Sequence, residues 1–247
     1  MITLLLLFFP LAAALFVFLA GHKMAAKLAL GFAVIELAIS GYAVSKFLKE
    51  GQDAFFVFKP WIEYPKVSFH LAVDGLSLLM ILLTNFLTPI IILSAFNRII
   101  PRAKSYFALI LIMQFALLGV FMAMDGLLYY IFWELALIPI YFIALQWGGE
   151  NRVAITLKFF IYTLAGSLLM LFGFIMLYWY NPAHTFDIRE LYQSAVSAKN
   201  QSWLFWMFFL AFAIKIPIVP FHTWQADTYR ESPTQGTMLL SGIMLKM

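Results

Sequence analysis

Long apolar runs separated by short polar segments dominate this chain of 247 residues. Each run is continuously apolar and does not alternate every second residue, which favours membrane-spanning helices over the strands of a membrane barrel. A helix needs about 20 apolar residues to cross a hydrocarbon layer of about 30 Å. The pattern predicts an eighth span that starts near Thr234, after seven spans at 2–20, 25–48, 71–97, 105–124, 127–147, 155–180 and 202–221.

The composition agrees with an integral membrane protein. Hydrophobic residues make up 64% of the chain and charged residues 11%, whereas ordinary globular domains contain about 25% charged residues. The predicted fold class is an all-α, polytopic bundle of about eight transmembrane helices, the last of them truncated. We expect two parts, a two-helix segment with an extramembrane loop over 1–70 and the main membrane domain over 71–247.

Basic residues concentrate in the short loops at 21–27, 98–104 and 148–158, whereas the short loop at 124–126 has none. Short cytoplasmic loops carry an excess of Lys and Arg in membrane proteins. We therefore expect a multi-pass protein with its N-terminus outside the cell. The two longer loops on the opposite side also hold basic residues, so the bias is small.

Several kinds of chemistry are excluded by what the sequence lacks. There is no cysteine, and hence no disulfide and no thiolate ligand for an iron–sulfur cluster or zinc. No glycine-rich phosphate-binding motif occurs. All four histidines fall at helix ends or in loops: His22, His70, His184 and His222. In such positions two histidines do not readily clamp a haem between helices. We expect no cofactor or metal on this chain and no nucleic-acid partner, so its energy must come from a gradient or a partner.

Four charged residues fall within the predicted helices: Glu36, Glu134, Lys215 and Lys246. Each charge at the centre of a membrane helix costs about 2.5–3.5 kcal/mol on insertion scales. Such residues must be paired, hydrated or titrating, and they mark ion or substrate pathways in many membrane proteins. They are the candidate functional residues.

Glu134 and Lys215 each lie beside proline. Pro139 removes the donor for the carbonyl of Leu135, next to the Glu134 carboxylate, and can kink that helix. Pro217 and Pro220 do the same on consecutive turns after Lys215, which predicts a discontinuous helix with free carbonyls at Ala213 and Ile216. Broken helices with polar residues at the break form ion sites in many transporters.

Structural roles remain open for these charges. If their roles are purely structural, Glu134 forms a fixed ion pair with a lysine of a neighbouring helix, and the Lys215 side chain reaches the membrane interface near 221–224. Lys246 lies next to the last residue, so we expect the chain to be a fragment in which Lys246 is near mid-membrane if its helix continues. Glu36 fits either an ion pair or a polar crevice, and we do not assign it to the site.

Several ordered motifs carry a resemblance to a known family: DGLSLLM at 74–80, FWELALIPIYF at 132–142, KFFIYT at 158–163, AFAIKIPIVPFHTW at 211–224, Pro233-Thr234 and Leu245-Lys246. From about residue 68 onward the chain resembles the antiporter-like proton-translocating subunits of respiratory complex I, NADH:quinone oxidoreductase. The W-E-x-x-L-I-P-x-Y-F form at 133–142 is most similar to the M-type subunit.

The resemblance implies an antiporter-like fold of about fourteen helices built from inverted repeats. It implies that Glu134 is the glutamate of helix 5, Lys215 the lysine of the broken helix 7 and Lys246 the central lysine of helix 8, all in a proton relay, with His222 as a further member. One departure matters: the segment 222–229 reads HTWQADTY where the family commonly has H-x-W-L-P-D-A-H. No relay role transfers to Tyr229, which stands in place of the second histidine.

The expected function is proton translocation in the cell inner (cytoplasmic) membrane, with Glu134 and Lys215 as a coupled pair. The partners would be the other membrane subunits of complex I, and NADH and quinone would bind to other subunits, so no redox site is expected here. The chain resembles only the N-terminal half of such a subunit. The alternatives are a subunit of a multi-subunit Na⁺/H⁺ antiporter or of a membrane-bound hydrogenase, and a structural subunit whose buried charges only fix packing.

Overall fold

The computed structural model describes residues 1–194 and 196–247 and is a bundle of helices, which confirms the predicted all-α class. The helices are α1 (Ile2–Leu19), α2 (Ala25–Glu50), α3 (Gly75–Ser94), α4 (Ala103–Met122), α5 (Gly126–Trp147), α6 (Arg152–Tyr180), α7 (Ile188–Leu191), α8 (Ala198–Lys215), α9 (Thr223–Glu231) and α10 (Thr234–Gly242). Short 3-10 turns cover Gln52–Phe55 and Met244–Lys246. Within the described residues, six helices, α1 to α6, are long and apolar enough to cross a membrane.

Most predicted spans correspond to one helix each, but two predictions need correction. The span predicted at 71–97 begins later, because a strand occupies the residues up to Leu71 and Asp74 caps α3. The span predicted at 202–221 is wrong at both ends, since α8 begins at Ala198 and stops at Lys215. The helix expected near Thr234 is confirmed as α10.

Helix α4 lies at the centre of the bundle. It packs against α1, α2, α3 and α5, and most of its side chains are buried. Helix α6 extends the bundle through its contacts with α5, α8 and α9. Because α1 packs directly on α4, the two parts expected at 1–70 and 71–247 are in contact, and the division between them stays a prediction.

A β-hairpin that the sequence reading placed in a loop closes one end of the bundle. Strand β1 (Val57–Ile62) pairs antiparallel with β2 (Val67–Leu71). Both segments are rich in β-branched and aromatic residues, which favour the strand conformation. The all-α class therefore includes one small two-stranded sheet among the described residues.

Asp125 joins this hairpin to the bundle. Its Oδ2 accepts hydrogen bonds from the backbone N–H of Ser68 at 2.9 Å and from the Ser68 hydroxyl at 3.0 Å. Its Oδ1 accepts from the backbone N–H groups of Leu127 at 3.0 Å and Leu128 at 3.1 Å, which caps α5. Burial raises the pKa of the Asp125 carboxyl, and the hydrogen bonds from Ser68 and Leu128 act in the opposite direction.

Asp74 is a simpler version of the same cap. It also precedes a glycine, and its Oδ1 accepts a hydrogen bond from the backbone N–H of Ser77 at 2.7 Å. That bond holds the pKa of the Asp74 carboxyl below its ordinary value. Asp74 is exposed, whereas Asp125 is fully buried. A comparison of the two residues therefore separates the contribution of helix capping to stability from the contribution of burial.

We expect Asp125→Ala to destabilise the protein more than Asp74→Ala. Loss of a cap costs about 1 kcal/mol, and a buried donor left without a partner, here the N–H of Ser68, costs about 1–3 kcal/mol more. The measurement is the thermal unfolding midpoint of the purified full-length protein in detergent. Equal midpoints for the two variants would contradict the role given to Asp125.

Candidate functional site

The chain breaks between α8 and α9, as the prolines predicted. Helix α8 ends at Lys215, and residues 216–222 form turns before α9 begins at Thr223. Pro217 and Pro220 lie in this segment and have no N–H to continue the helical hydrogen bonds. The lysine that the sequence marked as a candidate is therefore the last residue of a broken helix.

The carbonyls before the break are paired within the protein. The backbone N–H of Ile218 donates to the carbonyl of Ala213 at 2.9 Å, so the prediction that this carbonyl is free is wrong. The indole Nε1 of Trp224, in the first turn of α9, donates to the carbonyl of Ile214 at 3.0 Å. Trp224 is only 1% exposed, so this bond is shielded from solvent. Irregular backbone at membrane depth needs such internal partners.

Contacts from α6 hold α9 against the break. The Lys158 ammonium donates to the carbonyl of Thr223 at 2.9 Å and forms an ion pair with Asp227 at 3.0 Å. The Tyr162 hydroxyl lies 3.1 Å from the Thr223 hydroxyl. Lys158 and Tyr162 stand in the motif KFFIYT, so the sequence contained these residues, but nothing in it indicated that they contact α9.

Lys215 is buried without a hydrogen-bond partner. Its side chain is 3% exposed, and within the described residues its Nζ has no hydrogen-bond acceptor. The Nζ lies 4.8 Å from the centre of the Trp133 indole ring on α5. A cation over an aromatic face is attracted by about 0.5–2 kcal/mol, which offsets only part of the loss of water. Trp133 was missed by the sequence reading, although it directly precedes Glu134.

Glu134 lies on α5 beside this lysine. Its Oε1 is buried and also lacks a partner in the described part of the chain. Ser167 of α6 and Tyr130, one turn earlier on α5, lie around the carboxylate. Helix α5 continues through Pro139 without a break. The side chains of Glu134 and Ser167 thus place polar atoms where α5 meets α6.

Glu134 and Lys215 are close enough to interact electrostatically, but no direct ion pair joins them. This arrangement differs from the fixed ion pair considered for Glu134, in which the carboxylate and ammonium would be in contact. Each charge retains unused hydrogen-bonding capacity in a buried setting. The pair can therefore respond to a proton or a water molecule that enters between the two groups.

The other two candidates, Lys246 and His222, have hydrogen-bond partners outside this pair. Lys246 is exposed, and its Nζ donates to the carbonyl of Ser241 at 2.5 Å. His222 is exposed at the start of α9, and its carbonyl accepts from the backbone N–H of Gln225 at 3.1 Å. No hydrogen bond or ion pair among the described residues connects either one to Lys215. Their relay roles stay predictions.

A bundle of apolar helices with a broken helix, a buried lysine at the break and a carboxylate on the neighbouring helix defines an antiporter-like membrane protein. The sequence profile described as NADH:quinone oxidoreductase/Mrp antiporter, TM, matches residues 123–247. The chain belongs to this family. The resemblance drawn from the motifs is confirmed.

Three similar proteins place the chain within that family. Subunit M of the NADH-quinone oxidoreductase of Rickettsia conorii is 40% identical over 76% of this chain and 38% of that protein. Subunit M of the F(420)H(2) dehydrogenase of Methanosarcina mazei is 36% identical over 98% of this chain and 50% of that protein. A chain of respiratory complex I from Thermus thermophilus with bound NADH superimposes with a TM-score of 0.86 at 29% identity, covering 98% of this chain and 51% of that one. The chain spans about half the length of these proteins, or less.

We expect Trp224→Phe to lower the stability of the broken helix. Phenylalanine keeps an aromatic ring next to Phe159, whose ring centre lies 5.1 Å from that of Trp224, but it leaves the Ile214 carbonyl unpaired. A buried acceptor without its donor costs about 1–3 kcal/mol. The matched control is Trp203→Phe on α8, where the side chain is 61% exposed and the change should stay within about 0.5 kcal/mol. Thermal unfolding midpoints of the full-length protein measure both, and equal shifts would count against the role of the indole N–H.

Proposed function

We propose that this chain is the N-terminal part of a proton-translocating membrane subunit of an NADH:quinone oxidoreductase. The observation that carries the proposal is the Lys215 ammonium, which is buried at a helix break and faces Trp133 and Glu134 of the neighbouring helix. It has no hydrogen bond to any described residue. Ionisable residues inside a membrane commonly mark the paths of ions or protons. The names of the Rickettsia and Thermus relatives supply the enzyme complex.

The geometry suggests how the pair moves a proton. A carboxylate at Glu134 attracts the Lys215 ammonium, and this attraction is strong where the dielectric constant is low. When Glu134 takes up a proton, Lys215 loses this attraction and keeps only the weaker contact with the Trp133 ring. The ammonium then has no acceptor to stabilise its charge, so its proton leaves through water. Because no direct ion pair locks the two groups together, each can change its charge without breaking a strong bond.

Onward transfer to Lys246 and His222 belongs to the same proposal. Its only support is that both residues match the family-like motifs. No hydrogen bond among the described residues connects either of them to Lys215. The remaining relay groups would lie in parts of the whole subunit beyond the half spanned here. Electron transfer from NADH to quinone would take place on other subunits, with no cofactor on this chain.

The proposed orientation has the N-terminus outside a bacterial inner membrane. The support is that basic loops gather at one end of the bundle, where the Trp147 indole Nε1 donates to the carbonyl of Pro101 at 2.7 Å. The neighbouring Arg98, Arg102 and Arg152 belong to loops that the positive-inside rule assigns to the cytoplasm. The hairpin and Asp125 close the other end.

The electron donor and the coupled ion are the points at which relatives differ. The Methanosarcina relative belongs to an F(420)H(2) dehydrogenase, and the family description also covers Mrp antiporters. Purification of the native complex would show whether NADH is oxidised. Sodium-independent acidification of vesicles during that oxidation would favour proton translocation over sodium transport.

We expect Lys215→Met and Glu134→Gln, each made in the full-length subunit within its complex, to reduce proton translocation per electron by roughly tenfold or more. Removal of a positioned proton-transfer group commonly costs about 100-fold or more in rate. The matched controls are Lys199→Met, at an exposed position of the same helix α8, and Glu150→Gln, in an exposed loop. Both controls should pump normally. The measurement is vesicle acidification together with NADH oxidation.

Normal pumping in both site variants would refute the assignment. A structural role makes a different prediction, because it requires only that the two charges compensate each other. Under that role, the double variant Glu134→Gln with Lys215→Met would pump like the unaltered complex. Our proposal predicts that the double variant pumps no better than either single variant.

A further inference from the structure

A second buried polar cluster lies among α2, α3 and α4, and the proposed relay does not use it. Its members are Glu36 and Ser40 of α2, Asn85 of α3 and Gln114 of α4. All four side chains are at most 1% exposed. Glu36 and Ser40 are separated by one helical turn, so they project from the same face of α2.

Asn85 is at the centre of this Glu36 cluster. Its Nδ2 lies 2.5 Å from the Ser40 hydroxyl and 3.3 Å from Glu36 Oε1, and it donates to both. Its Oδ1 accepts from Gln114 Nε2 at 2.7 Å. The Ser40 hydroxyl donates in turn to the backbone carbonyl of Glu36 at 2.9 Å. One chain of hydrogen bonds therefore connects three helices.

Two acceptors in the cluster lack donors. Glu36 Oε2 and Gln114 Oε1 are buried, and neither has a hydrogen-bond partner among the described residues. An unpaired buried acceptor costs about 1–3 kcal/mol, and more when it carries a charge. The protein has assembled three amide and hydroxyl side chains around Glu36 and still leaves half of its carboxylate unpaired. A proton or a water molecule would supply the missing partner.

In the part of the chain that the structure describes, no ion pair balances a charge on Glu36. Helices α1 and α3 contain no charged side chain. The lysines of α2 closest in sequence, Lys27 and Lys46, and Lys104 of α4 are each more than two helical turns from Glu36 or Gln114 along their helices. At 1.5 Å per residue this separation exceeds about 10 Å. Glu36 thus differs from Glu134, which has Lys215 beside it.

We propose that Glu36 is a second, exchangeable proton-binding site, separate from the Glu134 and Lys215 pair. A proton on Oε2 removes the uncompensated charge and turns an unpaired acceptor into a donor. Water can accept from this group, and water can also donate to Gln114 Oε1, the second unpaired atom of the cluster. The bond that forms is O–H on Glu36, and its proton is given up to water when the site empties.

A metal cation fits the same cluster less well. Cation sites of this kind are lined by oxygen atoms that converge on one point. Here the Asn85 Nδ2 group points its N–H donors toward Glu36 and Ser40, which opposes a positive ion at that place. Within the described residues, no group of acidic or histidine side chains with metal-binding spacing is present.

The test is infrared spectroscopy of the full-length subunit in its purified complex, comparing the unaltered protein with Glu36→Gln. The amide of glutamine has the shape of a carboxylic acid and still accepts from Asn85, so the fold should persist. The matched control is Glu50→Gln, at the exposed end of the same helix. We expect the unaltered complex and the control to show a C=O stretching band of a protonated carboxylic acid that shifts in D₂O, and Glu36→Gln to lose that band.

Identical carboxylic acid bands in the unaltered complex and Glu36→Gln would overturn the proposal, as would a band at Glu36 that does not shift in D₂O. Sodium added at constant pH provides a further test. If it removed the band in the unaltered complex, the ligand would be a cation and not a proton. The spectra require no turnover, so a failure of the relay proposed for Lys215 would not affect this result.

Discussion

The lack of water inside a bilayer is the constraint on which the rest of this structure depends. Every backbone group near the centre of the membrane must find its partner within the protein. Helices α1 to α6 meet this condition by themselves, but the break after Lys215 does not. There the N–H of Ile218 donates to the Ala213 carbonyl in place of Pro217, and the indole of Trp224 donates to the Ile214 carbonyl, which the N–H of Ile218 no longer reaches. Lys215, the last residue before the break, therefore lies next to the contacts that satisfy the backbone.

Glu134 and Glu36, both within membrane-spanning helices, show two ways of keeping a carboxylate in such a setting. Glu134 has the charge of Lys215 nearby and an aromatic ring between the helices, so the two charges can offset each other from a distance. Glu36 has only neutral amides and a hydroxyl around it. In our proposals the first arrangement makes the state of one group depend on the other, whereas the second responds only to the arrival of a proton or water. The bundle would then contain a coupled site and an independent one.

Much of the architecture could be predicted from the sequence because it follows from local patterns. Apolar runs located the spans, and Pro217 and Pro220 located the break. The hairpin was missed because Lys59 and Pro60 interrupt its first strand, and its stability comes from contacts with Asp125, which is distant in sequence. The contact between Lys215 and Trp133 joins different helices, so no periodicity within one helix could reveal it. The same is true of the cluster around Glu36, whose partners come from α3 and α4.

Two kinds of contact hold α9 at the break, and their magnitudes decide which one positions it. The ion pair of Lys158 with Asp227 is 37% and 41% exposed, and such pairs contribute about 0–1 kcal/mol and weaken with salt. The bond from Trp224 to Ile214 is buried, where losing the donor costs about 1–3 kcal/mol. Trp224 also places its ring against Phe159 of α6. The indole therefore contributes more than the ion pair to the position of α9. Salt should then weaken the contact between Lys158 and Asp227 before it affects the surroundings of Lys215.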